Sequence, residues 1–141
     1  MKEAEPRTYQ AMAAADAQIE EFSLDPRLKE LVRIRASQVN GCGYCIHYHT
    51  TDARKLGETE QRLYALGAWW ETPFFTMEEQ VALKLTEEVT RISDHGISDE
   101  VFERALKLFG RQKLAQLIFL IVTINSWNRI AISMHLVADL D

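Results

Sequence analysis

Positive charge is in short supply. The 141 residues hold 16 Lys and Arg against 21 Asp and Glu, for a net charge of −5. No dense basic stretch interleaves with aromatics, which excludes nucleic acid as an expected partner. Long apolar runs are missing too. The longest, Leu117 to Ile124, falls far short of the roughly 20 residues needed to cross a bilayer, so it is expected to be a buried helix rather than a membrane span. The first ten residues, MKEAEPRTYQ, lack the apolar centre of a signal peptide, so the expected location is cytoplasmic. There is no run of strict apolar–polar alternation to indicate strands, no internal repeat and no low-complexity segment. Cysteine is the scarcest reactive residue. There are two, Cys42 and Cys45, and in a reducing compartment such a pair reads as redox-active or metal-binding rather than as a staple.

What remains is the composition of a globular protein, with 47% apolar and 26% charged residues. The length suits one domain, 1–141, with a real core. Helical periodicity and its punctuation run throughout. Pro6 opens a first helix that turns Tyr9, Met12, Ile19 and Phe22 inward. Asp25-Pro26 is an N-cap followed by a proline at the first helical position. The helix it starts carries Leu28, Leu31, Val32 and Val39 on one stripe and ends at Asn40-Gly41. The next begins at or near Cys42 and stops at Gly57. Cys42, Cys45, Ile46, His49, Ala53 and Leu56 form its inward face, and Tyr44, His47, Tyr48, Thr51 and Lys55 its outward face. Thr59 caps a short helix ending at Gly67. Trp69 to Phe75 is an aromatic connector broken by Pro73. Thr76 and Glu79 fit a capping box for a helix to about Ile92. Ser93 to Gly96 is a turn, Ser98 caps a helix stopping near Gly110, and a last helix runs from about Arg111 to Val137. The expected fold is an all-α bundle of about seven helices, with the dithiol at the N-terminus of a central one.

Cys42, Cys45 and His49 lie within roughly 60° of one another around that helix, at about 100° per residue. The motif therefore supplies two thiols and a candidate base on one stripe. Two arguments compete for which thiol is activated. Cys42 is nearer the positive end of the helix dipole, whereas Cys45 stands one turn before His49, at the i,i+4 spacing that brings side chains together. A specific proton acceptor outweighs a partly screened dipole, which favours Cys45 as nucleophile and Cys42 as the resolving thiol. From the residues alone, redox chemistry, a metal site and an inert core all remain open. Zinc would need four ligands, and His47 points away from the face of His49. Glu30, read from its own helix, lies opposite Leu28, Leu31 and Val32 and is expected to be a solvated carboxylate. Asn125, Asn128 and Arg129 share a face of the last helix and should satisfy one another or a neighbour. His95 and His135 read as structural or solvated. The tryptophans and phenylalanines of the connector suit core filling, a wall at the substrate entry or an oligomer contact.

Glu30, then eleven residues, then Cys42-Gly43-Tyr44-Cys45 and His49 resembles the signature of AhpD-like alkylhydroperoxidases, within the carboxymuconolactone decarboxylase superfamily. The run from Arg35 to Gly57 and Asn125-Ser126-Trp127-Asn128-Arg129 are similar to its single-domain members. The resemblance implies an all-α fold that oligomerises as a homotrimer or a multiple, and a peroxidase needing no metal, haem or other cofactor. It implies Cys45 as the peroxidatic thiol, Cys42 as its resolving partner, His49 as the base and Glu30 holding His49 or relaying its proton. It implies a hydroperoxide substrate and an external thiol reductant, thioredoxin-like or lipoyl-type. Tyr44 stands where some relatives have a histidine. A non-enzymatic oligomeric redox-sensing or binding protein using the same dithiol is the alternative. Lactone decarboxylation is disfavoured, because the decarboxylases of the superfamily lack the cysteine pair.

Overall fold

The computed structural model describes residues 1–139 and, among them, contains helices and no strand. In chain order the helices are α1 (Pro6–Glu20), α2 (Pro26–Asn40), α3 (Gly43–Lys55), α4 (Glu60–Ala65), a 3-10 helix (Leu66–Glu71), α5 (Met77–Thr90), α6 (Ile92–His95) and α7 (Asp99–Ser133). The expected all-α bundle of about seven helices is therefore what the chain forms.

Local chemistry sets most of the boundaries. The Asp25 side chain accepts from the backbone N–H of Arg27 and Leu28, at 2.9 and 3.1 Å, ahead of Pro26. Thr76 and Glu79 form the capping box expected of them. Gly110, at φ 70° and ψ 172°, breaks the long α7 where two separate helices are expected. That conformation is essentially closed to residues with a Cβ. Three junctions differ from expectation. The short helix expected to end at Gly67 gives way after Ala65 to the 3-10 helix, which takes in residues 69–71 of the expected connector. The segment read as a turn at Ser93–Gly96 belongs mostly to the four-residue α6. The last helix stops at Ser133 instead of reaching Val137. It is closed by bonds from His135 N–H to Ile132 O and from Leu136 N–H to Ala131 O, a paired turn usually built around glycine. Here His135 takes the left-handed position, at φ 54°. The chain beyond it turns back instead of continuing outward.

Helix α2 is the most enclosed element. Ten consecutive residues, Leu28 to Ser37, are buried, because α3, α5 and α7 all pack on it. One apolar cluster joins α2, α5 and α7 through Leu28, Val32, Leu85, Leu117, Leu120 and Ile121. A second, including Leu31, Ile34, Trp69, Phe75 and Leu83, lies towards the connector. Trp69 and Phe75 thus fill core, and neither they nor Trp70 and Phe74 lie against the dithiol. The Leu117–Ile124 run buries Leu117, Leu120, Ile121 and Ile124 but leaves Phe119 and Val122 exposed.

Candidate active site

The turn between α2 and α3 delivers the dithiol. Gly41, left-handed at φ 71°, ends α2, and its N–H bonds to Gln38 O while that of Cys42 bonds to Ser37 O. The chain reverses within two residues, so Cys42 becomes the N-cap of α3, with its Sγ accepting the Cys45 N–H at 3.3 Å. Asn40 pins this corner to α7. Its amide donates to Asn125 Oδ1 and Asn128 Oδ1, both at 2.9 Å. Asn128 in turn donates to Ser37 Oγ, Asn125 to Thr90 Oγ1, and Arg129 to Asn125. The shared face expected of Asn125, Asn128 and Arg129 is therefore a scaffold behind the site. Asn40 is the member that sequence spacing does not single out.

Cys42 and Cys45 are joined as a disulfide, with Cα atoms 5.4 Å apart, and the two residues are 1% and 5% exposed. They pack with Ala131 and Tyr44. Cys45 and His49 line one cavity of about 270 Å³, together with Tyr9, Tyr44, Tyr48 and Trp127. Tyr44 and Tyr48, expected on the outward face of α3, are walls of this cavity because α1 and the chain after α7 extend past them. Their rings meet at 4.7 Å. Burial first, and Tyr48 second, hold the Tyr44 phenol above its usual pKa, so it remains a hydrogen-bond donor at neutral pH. Tyr9 meets Trp127 edge-on at 5.5 Å. Leu56, expected inward, is exposed because α3 ends before it.

Glu30 corrects the reading made from its own helix. It is 6% exposed, since α2 presents no solvent face at this level. Its Oε2 lies 2.9 Å from His49 Nδ1, and its Oε1 accepts from Arg33 Nη1 at 2.5 Å. An ionised carboxylate only accepts, so Nδ1 is the donor in this contact, and the tautomer with its proton there leaves Nε2 as an acceptor. Arg33 continues the chain of charge to α1, donating to Glu20 Oε1 at 2.7 Å and Asp16 Oδ1 at 3.5 Å. Burial opposes the charge on Arg33, but Glu30 and Glu20 outweigh it, and its pKa is raised. Asp16 also lines the cavity, so this ionic chain fixes one cavity wall to the carboxylate that holds the imidazole. Among the described residues, no group of three or more His, Cys, Asp or Glu is arranged to hold a metal ion.

The sequence model of the carboxymuconolactone decarboxylase family matches residues 5–88, a span that contains Glu30, the dithiol and His49. The chain belongs to that family. Within it, the chain is an AhpD-like member. YdfG of Bacillus subtilis, an uncharacterized protein, is 42% identical over 129 residues, which cover 92% of this chain and 88% of YdfG. A protein of unknown function from Agrobacterium tumefaciens, provisionally assigned to AhpD-type antioxidant defence, superposes with a TM-score of 0.96 at 29% identity, over 99% of this chain and 96% of that one. The debrominase Bmp8 shares the fold at 18% identity and a TM-score of 0.87, over 96% of this chain and 73% of its own. The same fold therefore also serves a debrominase, and it is the site that must decide the chemistry.

Proposed function

We propose that this carboxymuconolactone decarboxylase family protein is a thiol-dependent peroxidase of the alkylhydroperoxidase type. The observation that carries this reading is the combination at one cavity of a bonded Cys42–Cys45 pair, with Cys45 on the wall, and an imidazole whose far nitrogen is held by a buried carboxylate. In the reduced protein, His49 Nε2 takes the Cys45 proton. The thiolate attacks the outer oxygen of a hydroperoxide, the O–O bond breaks, and His49 returns the proton to the departing alkoxide, giving an alcohol and a Cys45 sulfenic acid. The Cys42 thiol displaces water from that sulfenic acid and closes the disulfide. An external dithiol, thioredoxin-like or lipoyl-type, restores both thiols by exchange. Glu30 holds the imidazole in the tautomer that has Nε2 free. A cytoplasmic setting, where thiols are kept reduced, suits the cycle. The cycle uses no metal or cofactor. The exposed Phe119 and Val122 of α7 suit burial in a homo-oligomer, such as the trimer that the family resemblance implies.

The test is a peroxide titration of the reduced protein, with thiols counted by intact mass. One equivalent should consume both thiols of the wild type. Cys45→Ser should abolish turnover, and Cys42→Ser should stop at a trapped sulfenic acid. His49→Gln should slow disulfide formation by about 10²-fold or more, as expected for loss of a positioned general base. Full peroxide turnover by Cys45→Ser would refute the assignment. Reversible oxidation with negligible turnover under every reductant would favour a redox sensor instead.

A further inference from the structure

Two cavities flank the dithiol, and each is lined by one of its two cysteines. The cavity shared with His49 is lined by Cys45 and not by Cys42. A second cavity, of about 380 Å³, is lined by Cys42 and not by Cys45. Its walls are two helix-ending turns that face each other. One is Gly41-Cys42-Gly43 after α2. The other is His135-Leu136-Val137 after α7, brought back by the left-handed His135. Leu136 lines both cavities and forms part of the partition between them.

Exchange at a disulfide is a displacement along the sulfur–sulfur axis, so the side from which a thiolate arrives decides which sulfur it bonds and which one leaves. Arrival beside His49 would place it on Cys45 and expel Cys42. Arrival through the second cavity would place it on Cys42 and expel Cys45. The second outcome expels Cys45 into the cavity it shares with the Glu30-held imidazole, the neighbour that favours its thiolate in the proposed cycle, and a stabilised thiolate is the better leaving group.

We propose that the Cys42-side cavity is the reductant site, where an external dithiol attacks Cys42 while the His49 side is kept for the oxidising substrate. This rests on the dithiol cycle proposed above. One thiolate of the reductant bonds Cys42 Sγ as the Cys42–Cys45 bond breaks, and Cys45 leaves as a thiolate that takes up a solvent proton. The second reductant thiolate attacks its own sulfur in the mixed disulfide, releasing Cys42 as a thiolate that is then protonated. Two electrons pass from the external dithiol, which departs as a disulfide. Cys42 lies at the floor of the cavity, and the segment over it is held by the two backbone bonds from His135 and Leu136. A thiol therefore gains access by displacing a short turn rather than by opening the bundle.

The test separates the two approaches. Protein oxidised with diamide is mixed with dithiothreitol, and the rate of disulfide loss is followed. Val137 is 82% exposed and Ala138 lies at the rim, so Val137→Glu and Ala138→Trp should leave the fold intact. The glutamate sets a like charge against an incoming thiolate and should slow reduction at least about threefold at low salt, less at high salt. The tryptophan should slow it at any salt. Neither should change the rate at which peroxide closes the disulfide, whereas Tyr48→Trp, on the other wall, should slow that step and spare reduction. Acid quenching of the oxidised protein after brief exposure to 2-mercaptoethanol should place the mixed disulfide on Cys42. An adduct on Cys45, or unchanged reduction in both tail variants with slowed reduction in Tyr48→Trp, would overturn the proposal. Because the disulfide is made with diamide, the result does not depend on peroxide being the natural oxidant. Failure of the peroxidase reading would show separately, as slow closure of the wild type by peroxide.

Discussion

The same helix, α2, meets two different interiors. Towards α5 and α7 it contributes Leu28 and Val32 to an apolar cluster with Leu85, Leu117, Leu120 and Ile121. Towards α1 and α3 it buries Lys29, Glu30 and Arg33, and it holds them with Glu20, Asp16 and His49. The two sides do opposite work. Full burial of each leucine or isoleucine on the apolar side stabilises the fold by about 1.5–3 kcal/mol. A buried ion pair returns little over its desolvation cost, and one left without a partner is strongly destabilising. The ionic side is therefore a poor way to gain stability. It is an effective way to hold one carboxylate oxygen 2.9 Å from one imidazole nitrogen. The apolar cluster towards α5 and α7 thus supplies stability, and the ionic chain towards α1 and α3 supplies geometry.

Breaking the ionic half at a single point should have the largest effect. Arg33→Met leaves Glu30 charged, buried and deprived of its cation, and should cost about 3–5 kcal/mol in urea unfolding. The comparison sharpens when both partners are removed. Glu30→Leu with Arg33→Met leaves no unpaired charge between them and should recover much of the lost stability. Peroxide-driven disulfide formation should stay slow, because His49 has lost its acceptor. A double variant as unstable as Arg33→Met alone would mean that the pair itself, and not the orphaned charge, stabilises the fold.

The apolar half should answer differently. Leu120, fully buried, leaves a cavity when truncated, and Leu120→Ala should cost about 2–5 kcal/mol. The disulfide, His49 and Glu30 lie outside that cluster. At a temperature where the variant stays folded, the rate of peroxide-driven disulfide formation should match the wild type. A stability loss without a rate change in Leu120→Ala, set against a rate change with little stability loss in the double ionic variant, would separate the two halves experimentally.

The legibility of the chain follows the same division. Helix starts and stops are readable because they are local. Asp25-Pro26, Asn40-Gly41, the Thr76–Glu79 box and Gly110 each act through the nearest few backbone groups. The stripe of Cys42, Cys45 and His49 is readable for the same reason, as a helical period within eight residues. Glu30 is not readable from its own helix. Its neighbours Leu28, Leu31 and Val32 imply one inward face, whereas the packing of α3, α5 and α7 encloses α2 through ten residues. Only the motif spacing of the family points to it. The end of α7 escapes sequence reading because a histidine occupies the left-handed position where glycine is the usual signal. The role of Tyr44 and Tyr48 as cavity walls escapes it because the opposite wall comes from α1 and the far end of the chain, and no periodicity within α3 encodes that.

The smallest expected effect lies at the outer end of the ionic chain, and its sign is set by pH. Burial alone would raise the Glu20 carboxyl, but the hydrogen bond and charge of Arg33, with Lys29 beyond, outweigh it and hold its pKa below the ordinary value of 4.5. A carboxylate with a lowered folded-state pKa adds stability above its unfolded pKa and loses it as pH falls through the folded one. Glu20→Gln should therefore lower the urea midpoint slightly at pH 7. The gap from wild type should hold down to about pH 4.5 and close below it, as the wild-type carboxyl takes up its proton. The side chain of Glu20 is more than half exposed, so solvent screens the interaction and added salt should shrink the gap further. A gap that widened in acid would mean that Glu20 is held mainly by its burial, and that the ionic chain ends at Arg33.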